Sequence, residues 1–165
     1  RWSESNLKKE AQARGLDTTR LVFADRCEYS EYLERLAKAD LFLDTFNFNA
    51  GAIANDALWS GLPIVTKQGQ SYTARMASSL LKAVDLPELI TSTKEDYEKV
   101  ALDLATSPQK LKSIKTKLIT SKKNAPLFDT ERFARNIETA YLQMYAKYFA
   151  GEKPEHLFIK EHKID

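Results

Sequence analysis

The sequence predicts an α/β fold, a Rossmann-like parallel sheet with flanking helices and a helical C-terminal extension. Three observations predict it. The short apolar runs Leu21-Val22-Phe23-Ala24, Leu41-Phe42-Leu43-Asp44 and Ile64-Val65-Thr66 recur at helix-length intervals. Amphipathic segments lie between them, the arrangement expected of parallel βαβ units. Beyond Leu89-Ile90-Thr91, which can supply a last short strand, the apolar spacing is helical throughout.

The elements follow in order. Ser3 can cap a helix carrying Leu7, Ala11 and Ala13, which Gly15 ends. Ser30 can cap a second, with Leu33, Leu36 and Ala37 on one face. A polar loop from Thr45 to Asn49, interrupted by Phe46 and Phe48, leads into a helix that runs to Ser60, with Gly61 in the stop position. Gln68-Gly69-Gln70 turns the chain into a helix over 71–84. Ser92-Thr93-Lys94-Glu95 has capping-box spacing, Ser107-Pro108 places proline at a first helical position, and Asp129-Thr130 opens the longest helix, which reaches Gly151. On that helix Phe133, Ile137, Tyr141 and Met144 keep helical spacing, which predicts a face turned to the core. A polar tail, 151–165, follows the main body, 1–150.

Composition excludes several functions. The 165 residues suit one domain with a sizeable core. A net charge of +2, from 25 basic and 23 acidic residues scattered along the chain, gives no footprint for nucleic acid. The single cysteine, Cys27, cannot form a disulfide within the chain, which fits a reducing, cytoplasmic setting. No apolar run has membrane-spanning length. The chain opens on Arg1, inside a predicted helix and without a signal peptide, so upstream sequence is expected.

Ligands of such sheets gather at the carboxyl ends of the strands, here 25–30, 45–56 and 67–71. The richest stretch runs from Asp44 through Asn49, Gly51, Ala52, Ile53 and Asp56 to Pro63. Its small residues let a ligand approach the backbone. The first N–H groups of the helix are unpaired and partly positive, which suits a phosphate or diphosphate. Asp56 stands about one turn in, where a carboxylate can accept hydrogen bonds from a ribose diol. Each feature also has a purely structural reading: tight helix–strand packing, a carboxylate favouring the helix dipole, and Asn49 as a helix cap.

That stretch, continued by Gly69-Gln70-Ser71-Tyr72-Thr73-Ala74-Arg75-Met76-Ala77-Ser78-Ser79-Leu80, resembles the donor-site segment of the O-linked N-acetylglucosaminyltransferases and their bacterial SPINDLY-like relatives. Leu86-Pro87-Glu88-Leu89-Ile90, Pro126-Leu127-Phe128-Asp129-Thr130, Ala140-Tyr141-Leu142-Gln143-Met144 and Gly151-Glu152-Lys153-Pro154 extend the resemblance over nearly the whole chain.

The resemblance implies a two-lobed, metal-independent fold of the GT-B type, with residues 1–150 forming the C-terminal lobe that binds a nucleotide sugar. It implies a UDP-sugar, with UDP-N-acetylglucosamine foremost, as donor substrate rather than cofactor, and Ser or Thr hydroxyls of proteins as acceptors. It also implies a missing N-terminal lobe, often preceded by helical TPR repeats. Asp56 matches the ribose-binding aspartate, and Asn49 joins it among the donor-contacting residues. Gly51, Ala52 and Ile53 fall where the family often has His-Thr-Thr facing the diphosphate, so side-chain donors are lost there. The segment from Asp25 to Tyr32 corresponds to base recognition, with Cys27, Tyr29 and Tyr32 in place of other residue types. Tyr32 can contact the base or pack between helix and loop.

No residue stands out as a general base, and there is no Asp-x-Asp pair for a metal. His156 and His162, both in the tail, are expected to be solvated, and Arg75 is expected to pair with a carboxylate. Two other readings stay open: a non-catalytic module with a decayed donor site, and a protein N-glucosyltransferase using UDP-glucose.

Overall fold

A computed structural model describes residues 2–159. They form two compact units, divided between Tyr32 and Leu33.

The first unit holds helix α1 (Trp2–Ala13), a 3-10 turn at Thr18–Arg20 and the opening of α2 (Tyr29–Lys38). Gly15 follows α1 with φ +73°, the left-handed turn that stops a helix without a Cβ penalty. Ser3 and Ser30 lie inside their helices rather than at the caps. The strand expected over 21–24 is absent: residues 21–28 have no regular structure, and Val22 is 86% exposed. An apolar run forms a strand only when a neighbour takes up its backbone hydrogen bonds, and no described strand pairs with this one.

The second unit is built on a three-stranded parallel sheet in the order β1 (Phe42–Leu43), β2 (Ile64–Lys67), β3 (Ile90–Thr91). Phe42 lies opposite Ile64, Leu43 opposite Val65, Thr66 opposite Ile90 and Lys67 opposite Thr91. Helix α3 (Ala52–Trp59) links β1 to β2, and α4 (Met76–Ala83) links β2 to β3. The helix expected over 71–84 starts as a 3-10 turn, Thr73–Arg75, before α4 proper. Gly61, at φ +82°, sends its N–H to Leu58 O and ends α3 where expected.

Leu58, Ile64, Val65, Leu81, Val84, Leu86, Leu89 and Leu118 are the fully buried aliphatic centre of this unit. They come from the middle strand, from α3 and α4, from the turn that joins α4 to β3 and, for Leu118, from a later helix. At about 1.5–3 kcal/mol for each such side chain, this cluster is the main source of cohesion. Helix α5 (Lys94–Thr106) is capped by Thr93, whose hydroxyl oxygen accepts from the Asp96 N–H at 3.0 Å. Helix α6 (Pro108–Lys122) begins on its proline, and α7 (Thr130–Phe149) is capped by the Asp129 carboxylate.

Helix α7 departs from expectation. None of its residues is buried, and Phe133, Tyr141, Met144, Tyr145, Tyr148 and Phe149 are all more than half exposed. Helical spacing identifies an apolar face but not what covers it. After α7 the chain turns at Gly151 and carries no helix or strand over 152–159.

Candidate functional site

The carboxyl end of β1 leads into a loop organised by the carboxylate of Asp44, which is 4% exposed. One oxygen, Oδ1, accepts from the backbone N–H groups of Thr45 and Ala50, each at 2.8 Å. The other, Oδ2, accepts from the Thr66 hydroxyl at 2.6 Å. The Asp44 carbonyl accepts from the Tyr97 hydroxyl at 3.0 Å. Burial, with the nearby Asp44 charge second, pushes the Tyr97 phenol up to about 12. Asp44 is therefore the structural hub that delivers residues 45–50 to the start of α3.

Asn49 belongs to the same framework. It is fully buried, its amide donates to Thr45 O at 2.7 Å, and its backbone N–H donates to Thr73 O at 3.0 Å. It does not cap α3, because the helix starts later, with Gly51 in the cap position. No side chain caps that end, so the leading N–H groups of α3 remain directed outward.

An open cavity of about 600 Å³ lies at this helix start, within the usual size range of small-molecule sites. Gly51, Ala52 and Asn55 of the α3 region form one wall, and Gln68 lies at the carboxyl end of β2. Tyr72, Arg75, Met76, Ser79 and Lys82 come from the following turn and α4. A Cβ built on Gly51 would stand 2.4 Å from the Met76 methyl carbon, so the absence of a side chain at 51 lets α4 approach. Likewise Gly69 admits Ala74, whose carbonyl accepts its N–H at 2.7 Å.

The expected site residues are thus only partly assembled. Gly51 and Ala52 line the cavity. Ile53, 53% exposed, and half-buried Asp56 are not among the lining residues, whereas Asn55 is. Asn55 stacks one turn above Gly51, while Asp56 lies a further 100° or so around the axis, one turn above Ala52. Cys27 and Tyr32, both half-buried, lie in the first unit. Arg75 has no carboxylate partner among the described residues; its Nε donates to Ser71 O at 3.3 Å. His156 is exposed, and His162 lies outside the described residues. Gln68 falls in the segment 67–71 expected to gather ligands, and Tyr72 and Ser79 fall in the stretch that carries the family resemblance. Lys82 lies beyond both, and nothing in the sequence marked it.

Residues 1–137 match the family model described as glycosyl transferase family 41. The chain belongs to glycosyl transferase family 41. Relatives agree with that placement. A probable UDP-N-acetylglucosamine–peptide N-acetylglucosaminyltransferase of Arabidopsis thaliana is 32% identical over 98% of this chain, and one of Caenorhabditis elegans is 32% identical over 93%. The chain spans only 17% and 13% of the lengths of those two proteins. The structure resembles that of an O-GlcNAc transferase variant from Thermobaculum terrenum, with a TM-score of 0.80 at 29% identity, over 86% of this chain and 27% of the other. Family 41 membership accounts for the parallel sheet and its flanking helices. Among the described residues, no helix is long and apolar enough to cross a membrane.

Proposed function

We propose that this chain is the nucleotide-sugar-binding part of a protein O-N-acetylglucosaminyltransferase, taking UDP-N-acetylglucosamine as donor for Ser or Thr hydroxyls. One observation carries the reading. In a family 41 chain, an uncapped helix start of small residues opens onto a cavity at the carboxyl end of a parallel strand. The backbone N–H groups at Ala52 and Ile53 would meet the donor diphosphate, and Asp56, on the adjoining face of α3, its ribose. Catalysis on this side is electrostatic: fixed dipoles and cations stabilise the negative charge that builds on the departing diphosphate, without a metal.

The acceptor site and any general base are assigned to other parts of a longer protein, a reading supported by the small share of the relatives' length that this chain spans. That protein would carry a facing N-terminal lobe and, as an extension of the same reading, TPR repeats, and would work in the cytoplasm. Alone, the chain is proposed to bind donor weakly, with a dissociation constant of about 1 mM, or roughly 4 kcal/mol, and to transfer no sugar.

The test is calorimetric titration of the chain with UDP, UDP-N-acetylglucosamine, UDP-glucose and GDP. Uridine nucleotides are expected to bind better than GDP. Equal or tighter binding of GDP would overturn the donor assignment. Preference for UDP-glucose over UDP-N-acetylglucosamine would favour the glucosyltransferase reading. Silence of every nucleotide would favour the decayed module, for which the loss of side-chain donors at Gly51, Ala52 and Ile53 is the supporting observation.

A further inference from the structure

Arg75 and Lys82 line the cavity, and among the described residues no Asp or Glu lines it with them. Neither cation has a carboxylate partner among the described residues. Elsewhere Lys8, Lys110, Lys115, Lys117 and Lys147 each lie within 3 Å of a carboxylate oxygen, while Lys67, Lys94 and Lys122 lie over aromatic rings instead. What sets Arg75 and Lys82 apart is that both line one cavity.

Local stability accounts for Lys82 but not for Arg75. Lys82 sits in the last turn of α4, where the helix dipole favours a cation. Arg75 occupies the N-cap position of the same helix, where the dipole disfavours one, and α4 has no acidic residue in its first turn to offset it. The Nε–H of Arg75 is held on Ser71 O, and its terminal guanidinium nitrogens have no partner among the described residues. A buttressed guanidinium with its fork free is suited to paired phosphate oxygens. The starts of α3 and α4 add their positive ends to the same cavity.

We propose that Arg75 is the cation that binds the diphosphate of the donor, supplying donors that the side chains at Gly51, Ala52 and Ile53 do not, with Lys82 adding longer-range attraction. This rests on the donor reading above and names the residue that carries its anion. The ligand chemistry is a phosphoanhydride, so inorganic pyrophosphate should compete with UDP for the same place.

The experiment is calorimetric titration of UDP into the full chain and into Arg75→Gln, Arg75→Lys and Lys82→Gln at several salt concentrations, with pyrophosphate competition on the unaltered chain. Arg75→Gln is expected to weaken UDP at least about tenfold, the scale of a lost hydrogen bond to a charged group. It should also flatten the dependence of affinity on salt, and Arg75→Lys should recover part of the loss. Lys82→Gln should cost only a fewfold, mostly at low salt. UDP binding by the unaltered chain that Arg75→Gln leaves unchanged overturns this assignment and spares the donor reading. So does a loss in Arg75→Gln without any change in salt dependence or any recovery in Arg75→Lys, which marks a structural role. Failure of pyrophosphate to compete also overturns it. Absence of UDP binding by the unaltered chain overturns both.

Discussion

Thr66 Oγ1 donates to Asp44 Oδ2 at 2.6 Å, from the middle strand to the residue just past β1, with both side chains almost fully shielded from water. The same carboxylate holds the N–H groups of Thr45 and Ala50. The loop that presents Gly51 is therefore set by a buried acceptor and not by the loop's own conformational preference. Replacing Asp44 with Ala strands the Thr66 hydroxyl and the Ala50 N–H. Each stranded group costs about 1–3 kcal/mol, so Asp44→Ala should destabilise the chain by roughly 3 kcal/mol or more. Thr66→Val removes one partner and keeps the shape, and should cost about 1–2 kcal/mol. Urea denaturation of both variants checks the order; a smaller loss for Asp44→Ala than for Thr66→Val would refute the hub.

Gly51 and Met76 form a second coupled pair. A Cβ at 51 would come within 2.4 Å of the Met76 methyl carbon, which is the flexible end of its side chain. Gly51→Ala should therefore fold, at a cost of about 1 kcal/mol, by swinging Met76 aside. The displaced thioether would crowd the cavity and weaken UDP. Met76→Ala in the same chain should restore much of that affinity, because contacting sites couple. Additive losses in the double variant, measured by titration, would show that residue 51 acts without Met76.

Periodicity made α3, β2, α5 and α6 legible, because each places its apolar residues on one buried side and carries a local start or stop signal such as Gly61 or Pro108. The strand expected at Leu21-Val22-Phe23-Ala24 had the same local signal and still failed to form, since pairing is not encoded in the run itself. The aromatic face of α7 was legible as a face from its spacing; spacing alone does not say what covers it. In the site, Gly51 and Ala52 were readable from their size and position. Asp44 was overlooked because its role depends on Thr66 and Tyr97, 22 and 53 residues away. Arg75 was expected to find a carboxylate, and only the spatial arrangement shows that none is near among the described residues.

Tyr97 gives a pH test of the same loop. Its hydroxyl donates to Asp44 O, and burial together with the Asp44 charge raises its pKa from 10.0 to about 12. The folded state thus favours the neutral phenol more than the unfolded chain does. The corresponding stability is fully present below the unfolded value of 10.0 and is lost as pH rises toward about 12. Tyr97→Phe cannot ionise. The unaltered chain should exceed it in stability by about 1 kcal/mol below this window, the usual worth of one hydrogen bond, and the difference should shrink or reverse within it. A constant difference across the window, by chemical denaturation, would show that the phenol is not held in its neutral form.

Asn55 and Asp56 separate two ways of seating the donor on α3. Asn55 lines the cavity, and Asp56 occupies the adjoining face of the helix. If the diphosphate sits at the helix start and the ribose reaches around to Asp56, the carboxylate makes the stronger contact. Hydrogen bonds to a charged group are worth about 1.5–3 kcal/mol, against about 0.5–1.5 for neutral pairs. Asp56→Ala should then weaken UDP by tenfold or more, about 1.4 kcal/mol per factor of ten, and Asn55→Ala by a smaller factor. Melting temperatures keep the comparison honest, since Asp56 also makes an interaction within the protein. A larger affinity loss in Asn55→Ala would place the nucleotide wholly inside the cavity. Unchanged affinity in Asp56→Ala with a collapsed melting temperature would make that carboxylate structural and remove it from the donor site.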